Sequence, residues 1–358
     1  MKRLLPLILV SLVAVAFAQT AQMRYGRIEF FGYGGFDLDR IRAALPLHEG
    51  DAITPSGDAV LGVTNRVKAA IKQATGREPT DVGTLCCDEH GDLTLYIGLP
   101  GHSVRNISYN PQPKASLQLP QEALTIYDET MDALTEAVRS HAGEDDSHGY
   151  ALSTNPTLRS KQLAARSYAL RHERLLLRVL ESSSNARYRI AAAHLVGYMR
   201  QSNEQIKSLV RASHDEDDTV RNNAVRALGV LVRSGLHVAA RIPAGQFIEM
   251  LNSGSWSDRN KSGGLLELLS QRRDPALLGR LRAEALESLI EMARWRDPGH
   301  ADSARFMLGR IAGIEETRLQ QLVQTGQVEQ IISAARGVRW AESSTSVLYK
   351  KSIAAVAT

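Results

Sequence analysis

Through the second half of the chain, apolar residues recur at intervals of three and four. Residues 218–229 set the pattern. Acidic capping residues open the stretch, Arg221 follows, and Val220, Ala224, Leu228 and Leu231 fall on one helical face. Arg221 is followed at +3, +7 and +8 by Ala224, Leu228 and Gly229. The same frame reads Arg189, Ala192, Val196, Gly197 earlier in the chain and Ala301, Ala304, Leu308, Gly309 later. Weaker copies read Arg259, Ser262, Leu266, Glu267 and Lys161, Ala164, Tyr168, Ala169. Successive copies start 28, 32, 38 and 42 residues apart, which predicts a degenerate array with longer loops in its second half. Helices are expected at 157–170, 172–183, 186–200, 203–213, 217–233, 244–252, 257–272, 275–295, 299–312 and 315–335. A small residue at +3 lets neighbouring helices approach closely. One such unit cannot bury its apolar face alone, so copies stack and share a core. Residues 337–358 lack periodicity and read as a cap or loose tail.

Ahead of the array the period is mixed. Residues 27–31 read as a strand ending at the Gly32-Tyr33-Gly34-Gly35 turn. Asp37 can cap a short helix carrying Leu38, Ile41 and Leu45, and a longer helix carries Val60, Thr64, Val67, Ile71 and Ala74. Residues 82–87 and 93–99 read as strands of a hairpin, the second alternating Leu93, Leu95, Ile97 and Leu99 with Thr94, Tyr96 and Gly98 as a half-buried strand requires. Residues 102–119 read as a linker or added edge strand. An amphipathic helix then begins at Pro120 and carries Leu124, Tyr127, Met131, Leu134 and Val138, and the pattern breaks over residues 143–156.

The Arg221 frame resembles the first helix of a HEAT repeat, and residues 157–336 resemble an array of such units. The resemblance implies an α-solenoid that binds another protein through its concave face. Some HEAT-like proteins are instead lyases or handle cofactors, which is the main rival. Residues 24–100, in the order strand, helix, helix, strand, strand, resemble a POTRA domain. The likeness rests on Ile28-Glu29-Phe30-Phe31-Gly32, on the stretch from Leu45 to Gly50-Asp51, and on the closing hairpin. Where such domains often show a Gly-aromatic step before the second strand, this chain has Gly76-Arg77. That resemblance implies a docking module able to add a strand at its sheet edge, and a third reading as an envelope-assembly factor. The expected fold class is mainly α: an α-solenoid of degenerate HEAT-like repeats preceded by a small α+β (β-α-α-β-β) domain, with residues 101–156 as linker and amphipathic helix.

Composition adds a destination. Met1-Lys2-Arg3, an apolar run over residues 4–17 and Ala16-Phe17-Ala18 read as a signal peptide cleaved after Ala18, which implies a periplasmic or secreted protein. After cleavage no apolar run is long enough to span a bilayer. Charge divides unevenly: residues 19–155 hold 11 Lys/Arg and 19 Asp/Glu, residues 156–313 hold 25 and 16. The basic excess reads as an ordinary Arg-rich helical surface or, more sharply, as a basic face that docks an acidic protein partner or the acidic front of the same chain, and export disfavours nucleic acid. The only cysteines, Cys86 and Cys87, are adjacent. Strand alternation would point them to opposite faces, so two reduced thiols are the favoured reading, with a strained vicinal disulfide or an intermolecular bond as alternatives.

Enzyme signatures are scarce. His172-Glu173 begins like H-E-x-x-H, but Leu176 stands where the second His is needed. G-x-S-x-G, P-loop and C-x-x-C patterns are absent, and no cofactor or metal is expected. Three polar clusters remain. Residues 144–150 bring Asp145, Asp146 and His148 together, a set suited to a hard cation or to acid–base work if it is not simply a solvated loop. Trp256, Ser257, Asp258, Arg259, Asn260 and Lys261 open a repeat, with Ser257 or Asp258 as N-cap. Residues 295–300 end one helix and start the next at His300. An enzyme would need the first and third clusters to meet in one pocket. At the helix starts, Arg189, Arg221 and Arg259 form a ladder, with Asn222 and Asn223 beside it. These arginines either pair with acids of neighbouring repeats, as in HEAT proteins, or offer a row of donors to a partner. The partner-binding set is therefore Arg189, Arg221, Asn222, Asn223, Asp258, Arg259, Asn260 and Lys261.

Overall fold

The computed structural model describes residues 23–337, apart from residues 54–56 and 89. The expected leader at 1–18, and all but the first residue of the expected tail at 337–358, lie outside the described residues. The chain is mainly helical, with fifteen helices among the described residues and a small sheet near its start.

The first unit runs β1 (Tyr25–Phe31), α1 (Leu38–Ala44), α2 (Gly57–Thr75), β2 (Asp81–Leu85) and β3 (Leu93–Gly98). α1 starts where it does because the Asp37 carboxylate accepts from the backbone N–H groups of Asp39 and Arg40. β3 lies in the middle of the sheet, parallel to β1 and antiparallel to β2. Ile28 sits opposite Leu95 and Phe30 opposite Ile97, so one face collects the apolar residues that meet Ile41, Val67 and Ile71. The Val60 side chain lies outside the described residues. The expectation of a half-buried β3 needs correction: Tyr96 and Thr94, on the other face, are buried as well. Trp256 and Trp295, from the helical part that follows, cover Tyr96 on that face. Cys86 and Cys87 are joined as a vicinal disulfide. β2 ends at Leu85, so strand alternation does not govern the two cysteines.

The helical part begins with α3 (Gln121–Arg139) and α4 (Pro156–Arg171), between which β4 (Glu144–Asp145) and β5 (Leu152–Ser153) form a small hairpin. There follow α5 (Glu173–Ser182), α6 (Ala186–Val196), α7 (Asn203–Ala212), α8 (Asp218–Ser234), the short α9 (Leu236–Ala239), α10 (Ala244–Met250), α11 (Trp256–Ser270), α12 (Pro275–Ala293), α13 (Pro298–Ile311), α14 (Glu316–Gln324) and α15 (Val328–Gly337). Local chemistry sets most starts. Asn155, Asn185, Ser202, Asp217, Asp274 and Asp297 each accept from a backbone N–H of the first turn, and Pro follows the cap of α4, α12 and α13. α6 packs on α8, α8 on α11, α11 on α13 and α13 on α15; on their other side α5 packs on α7 and α10 on α12. α3 packs on α4 and α6, and its Ala123 and Tyr127 join the core that runs through the helices.

The frame positions Ala192, Ala224, Ser262 and Ala304 are buried, as are Val196, Leu228, Leu266 and Leu308. In α4 the frame is one residue off: Ala164 is exposed and Ala165 is buried. The single helix expected at 315–335 is two, because Gly326 adopts φ +68° between α14 and α15. Residues 102–119 form neither a loose linker nor an edge strand. They cross successive helix corners, where Arg105 N donates to Asn252 O (2.8 Å), Asn110 N to His214 O (2.7 Å) and Ala115 N to Ser182 O (3.1 Å).

Candidate functional site

The arginine ladder is internal. Arg189 is fully buried and makes two 2.8 Å bonds to the Asp215 carboxylate and one of 2.9 Å to Ser183 O. Arg221 donates to Asp258 (2.8 and 3.2 Å) and to Asp215 O (2.9 Å). Arg259 donates to Glu291 (2.9 Å) and to Ser253 O (2.7 Å). Each guanidinium thus ties the carbonyl six residues back to an acid further along the chain. Asp258 is buried in the first turn of α11, whose N-cap is Ser255. Its carboxylate takes Arg221, the Tyr109 hydroxyl and the Ser253 hydroxyl, so the expected capping role falls away. Arg189, Arg221, Asp258 and Arg259 are therefore consumed inside the fold and present no row of donors to a partner. Asn223, also buried, donates to Ile190 O (3.2 Å), and Asn222 is half-buried against Ser257 (3.3 Å).

The other candidates converge. Asn260, Lys261 and His300 line one cleft of about 350 Å³ with Glu144, Arg226, Gly229, Arg233, Gly264 and Gly299. Its walls are α8, α11 and the start of α13, and the β4–β5 hairpin supplies Glu144. Glu144 bonds Arg226 at 2.5 Å, and Asp146 bonds Arg233. The exposed Asp145 and His148 stand 4.0 Å apart, and neither lines the cleft. Lys261 makes no ion pair or hydrogen bond among the described residues. Burial first, and then the positive charge of Arg226, push its amine down to about 8. Burial also lowers the His300 imidazole, with Lys261 and Arg27 adding to the effect and Asp297 opposing it. His300 Nδ1 shares a 2.7 Å hydrogen bond with the Tyr96 hydroxyl, whose own pKa burial raises. Beside the cleft lies a smaller recess lined by His194, Tyr198, Asn223 and Arg226. Burial drives the His194 imidazole down to about 3, and its Nε2 has no hydrogen-bond partner.

Sequence reasoning passed over Arg226 and Arg233. The signal was present: Asn222, Arg226, Gly229 and Arg233 form a stripe at i, i+4, i+7 and i+11 beside the apolar face of α8. Ser257, Lys261 and Gly264 repeat its first three steps on α11. In both stripes a glycine at i+7 leaves room beside the charged residues. Among the described residues no three His, Cys, Asp or Glu side chains gather as a metal site, and no helix is long and apolar enough to cross a membrane. No protein-family model matches the chain, and no curated protein matches it at a significant level.

Proposed function

We propose that this protein is an exported scaffold, a solenoid of HEAT-like helix pairs that holds an acidic segment of a partner protein in the Lys261 cleft. On this reading the open side of α8, α11 and α13 is the concave face. The observation that carries it is Lys261, a cation without an ion pair among the described residues, beside Arg226, Arg233 and His300 in a cleft with a single carboxylate lining residue. Desolvated cations in a cleft attract and orient acidic segments more strongly than exposed ones. A fluorescein-labelled oligoglutamate peptide should bind saturably by fluorescence anisotropy, and Lys261→Glu should weaken it at least about tenfold through charge reversal. Unchanged binding in the variant would remove the cleft from the partner site. Export is tested apart from this: the mature N-terminus should be Gln19 or lie within a few residues of it.

One observation favours the rival. The clusters at 144–150 and 295–300 meet, since Glu144 and His300 line the same cleft with a lysine whose amine is easily deprotonated. A lyase or cofactor-handling protein could use that amine as base or nucleophile. Reductive amination with a small aldehyde at neutral pH would then label Lys261 ahead of the exposed lysines, whereas uniform labelling favours the scaffold.

A further inference from the structure

Marker spacing along the array lengthens from 32 residues (Arg189 to Arg221) to 38 (Arg221 to Arg259). The added chain holds α9 and the loop that leads into α10. α10 reaches α7 through Gln246, whose amide donates to Val210 O (3.0 Å) and Ser213 Oγ (2.6 Å). Beside that contact an open cleft of about 600 Å³ remains between α7 and the α9–α10 loop. Lys207 and Arg211 stand one turn apart on α7, and Arg241 faces the same space from the loop. All three are exposed, and none makes an ion pair among the described residues. Elsewhere in the array Arg187, Arg273, Arg280, Arg294 and Arg296 also reach solvent, and each holds a carboxylate. Arg159, Arg174 and Arg178 are exposed without an ion pair among the described residues, but they share no described cleft with other cations. The cleft lining contains no Asp or Glu. Val210, Ala240 and Pro243 give it an apolar side, Asn110 and Gln246 are its neutral polar lining, and His214 borders it with a buried Nδ1 that has no hydrogen-bond partner.

We infer that this cleft is a second binding site, separate from the Lys261 cleft, for a small organic anion carrying a phosphate monoester. Three cations with no ion-pair partner among the described residues suit a group whose three terminal oxygens share about two negative charges, and Arg adds planar, two-pronged donation. The apolar wall suits a carbon body, and the volume lies within the range of small-molecule sites. Phenyl phosphate is the probe. Titrated calorimetrically into the full chain at low salt, it should bind saturably. The Arg211→Gln/Arg241→Gln double variant should bind at least about tenfold more weakly, through loss of two charge-assisted contacts. Both positions are exposed, so the variant's thermal melt should match the parent's. Lys261→Gln should leave phenyl phosphate binding unchanged, which keeps this test independent of the scaffold reading. Absence of saturable binding, or binding undiminished in the double variant, overturns the site. Inorganic phosphate binding as tightly as phenyl phosphate overturns the organic part of the assignment. An oligoglutamate peptide that loses affinity in the double variant, while phenyl phosphate fails to bind, overturns the small-molecule assignment in favour of a protein partner.

Discussion

Arg221 shows how much rests on single side chains in this fold. Its three guanidinium nitrogens all donate, its charge lies 3.9 Å over the Tyr109 ring, and its partner Asp258 is 1% exposed. Removing one member of a buried pair leaves the other charge uncompensated, at a cost of about 3–5 kcal/mol. Arg221→Ala should lower unfolding free energy by that amount in urea titrations. Arg221→Lys should recover little of it, because an ammonium cannot reproduce the fork. Lys261 makes the opposite kind of prediction. Its folded pKa of about 8 lies below the ordinary lysine value of ~10.4. Acidic-peptide affinity should therefore fall as pH rises through about 8. Stability should change the other way: between that pH and the unfolded value the unfolded chain binds more protons, so the Lys261 contribution to stability rises with pH. Lys261→Met should flatten both trends. Peptide affinity that does not change across this window would detach Lys261 from the binding event.

Elements inherit these local choices. α8 divides its surface three ways: Val220, Ala224 and Leu228 point into the core, Arg221 and Asn223 tie neighbouring helices, and Arg226 and Arg233 line the cleft. Leu228 is fully buried, so Leu228→Ala should cost ~2–5 kcal/mol in thermal or chemical unfolding. The helix start depends on Asp217, whose carboxylate accepts from Thr219 N and Val220 N at 3.0 Å. Asp217→Ala should cost about 0.5–2 kcal/mol. A helix frame was legible in the sequence because period and caps are local. The α14–α15 break was less legible, since the apolar spacing continues across it and only Gly326 marks the stop.

At the scale of the molecule, the small sheet and the helices share one core. Phe31 and Tyr96, on the sheet face turned away from its own core, pack with Trp295 at ring separations of 6.3 and 5.2 Å. Trp295 Nε1 donates to Phe30 O (3.0 Å), and Glu291 accepts from Gly32 N, Gly34 N and the Ser103 hydroxyl. Trp256 joins the two parts, lying 5.0 Å from the Tyr96 ring of the sheet and 5.1 Å from the His300 ring of α13. Acidic residues of α3 and the β4–β5 hairpin pair with cations of the following helices: Asp128 with Arg187, Glu129 with Lys161, Glu144 with Arg226 and Asp146 with Arg233. Exposed pairs such as the first two contribute only about 0–1 kcal/mol each. Between the sheet and the helices the charge pairs are Arg27 with Asp297 and Arg296 with Glu29 and Glu49, and the apolar packing around Trp295 is expected to outweigh them. Trp295→Ala should cost ~3–5 kcal/mol and free the first unit to early proteolysis, while molar salt should shift stability far less. A greater loss from salt than from Trp295→Ala would make charge the main tie.

By itself the sequence determined most of the helical segments (α9 and the α14–α15 break excepted), where most of them begin, the strand–helix–helix–strand–strand order of the first unit, and the core-facing side of most elements. All of these depend on neighbours within a few residues, through side-chain period and capping. Tertiary structure alone decided which acid each ladder arginine takes, at separations of 26, 37 and 32 residues. It alone brought Glu144 and His300 to one cleft, buried the second face of β3, and opened the gap behind α9. Those outcomes depend on how helices stack and where the chain crosses back over them. No local period encodes that, because contact between distant side chains is set by the packing of the elements that carry them.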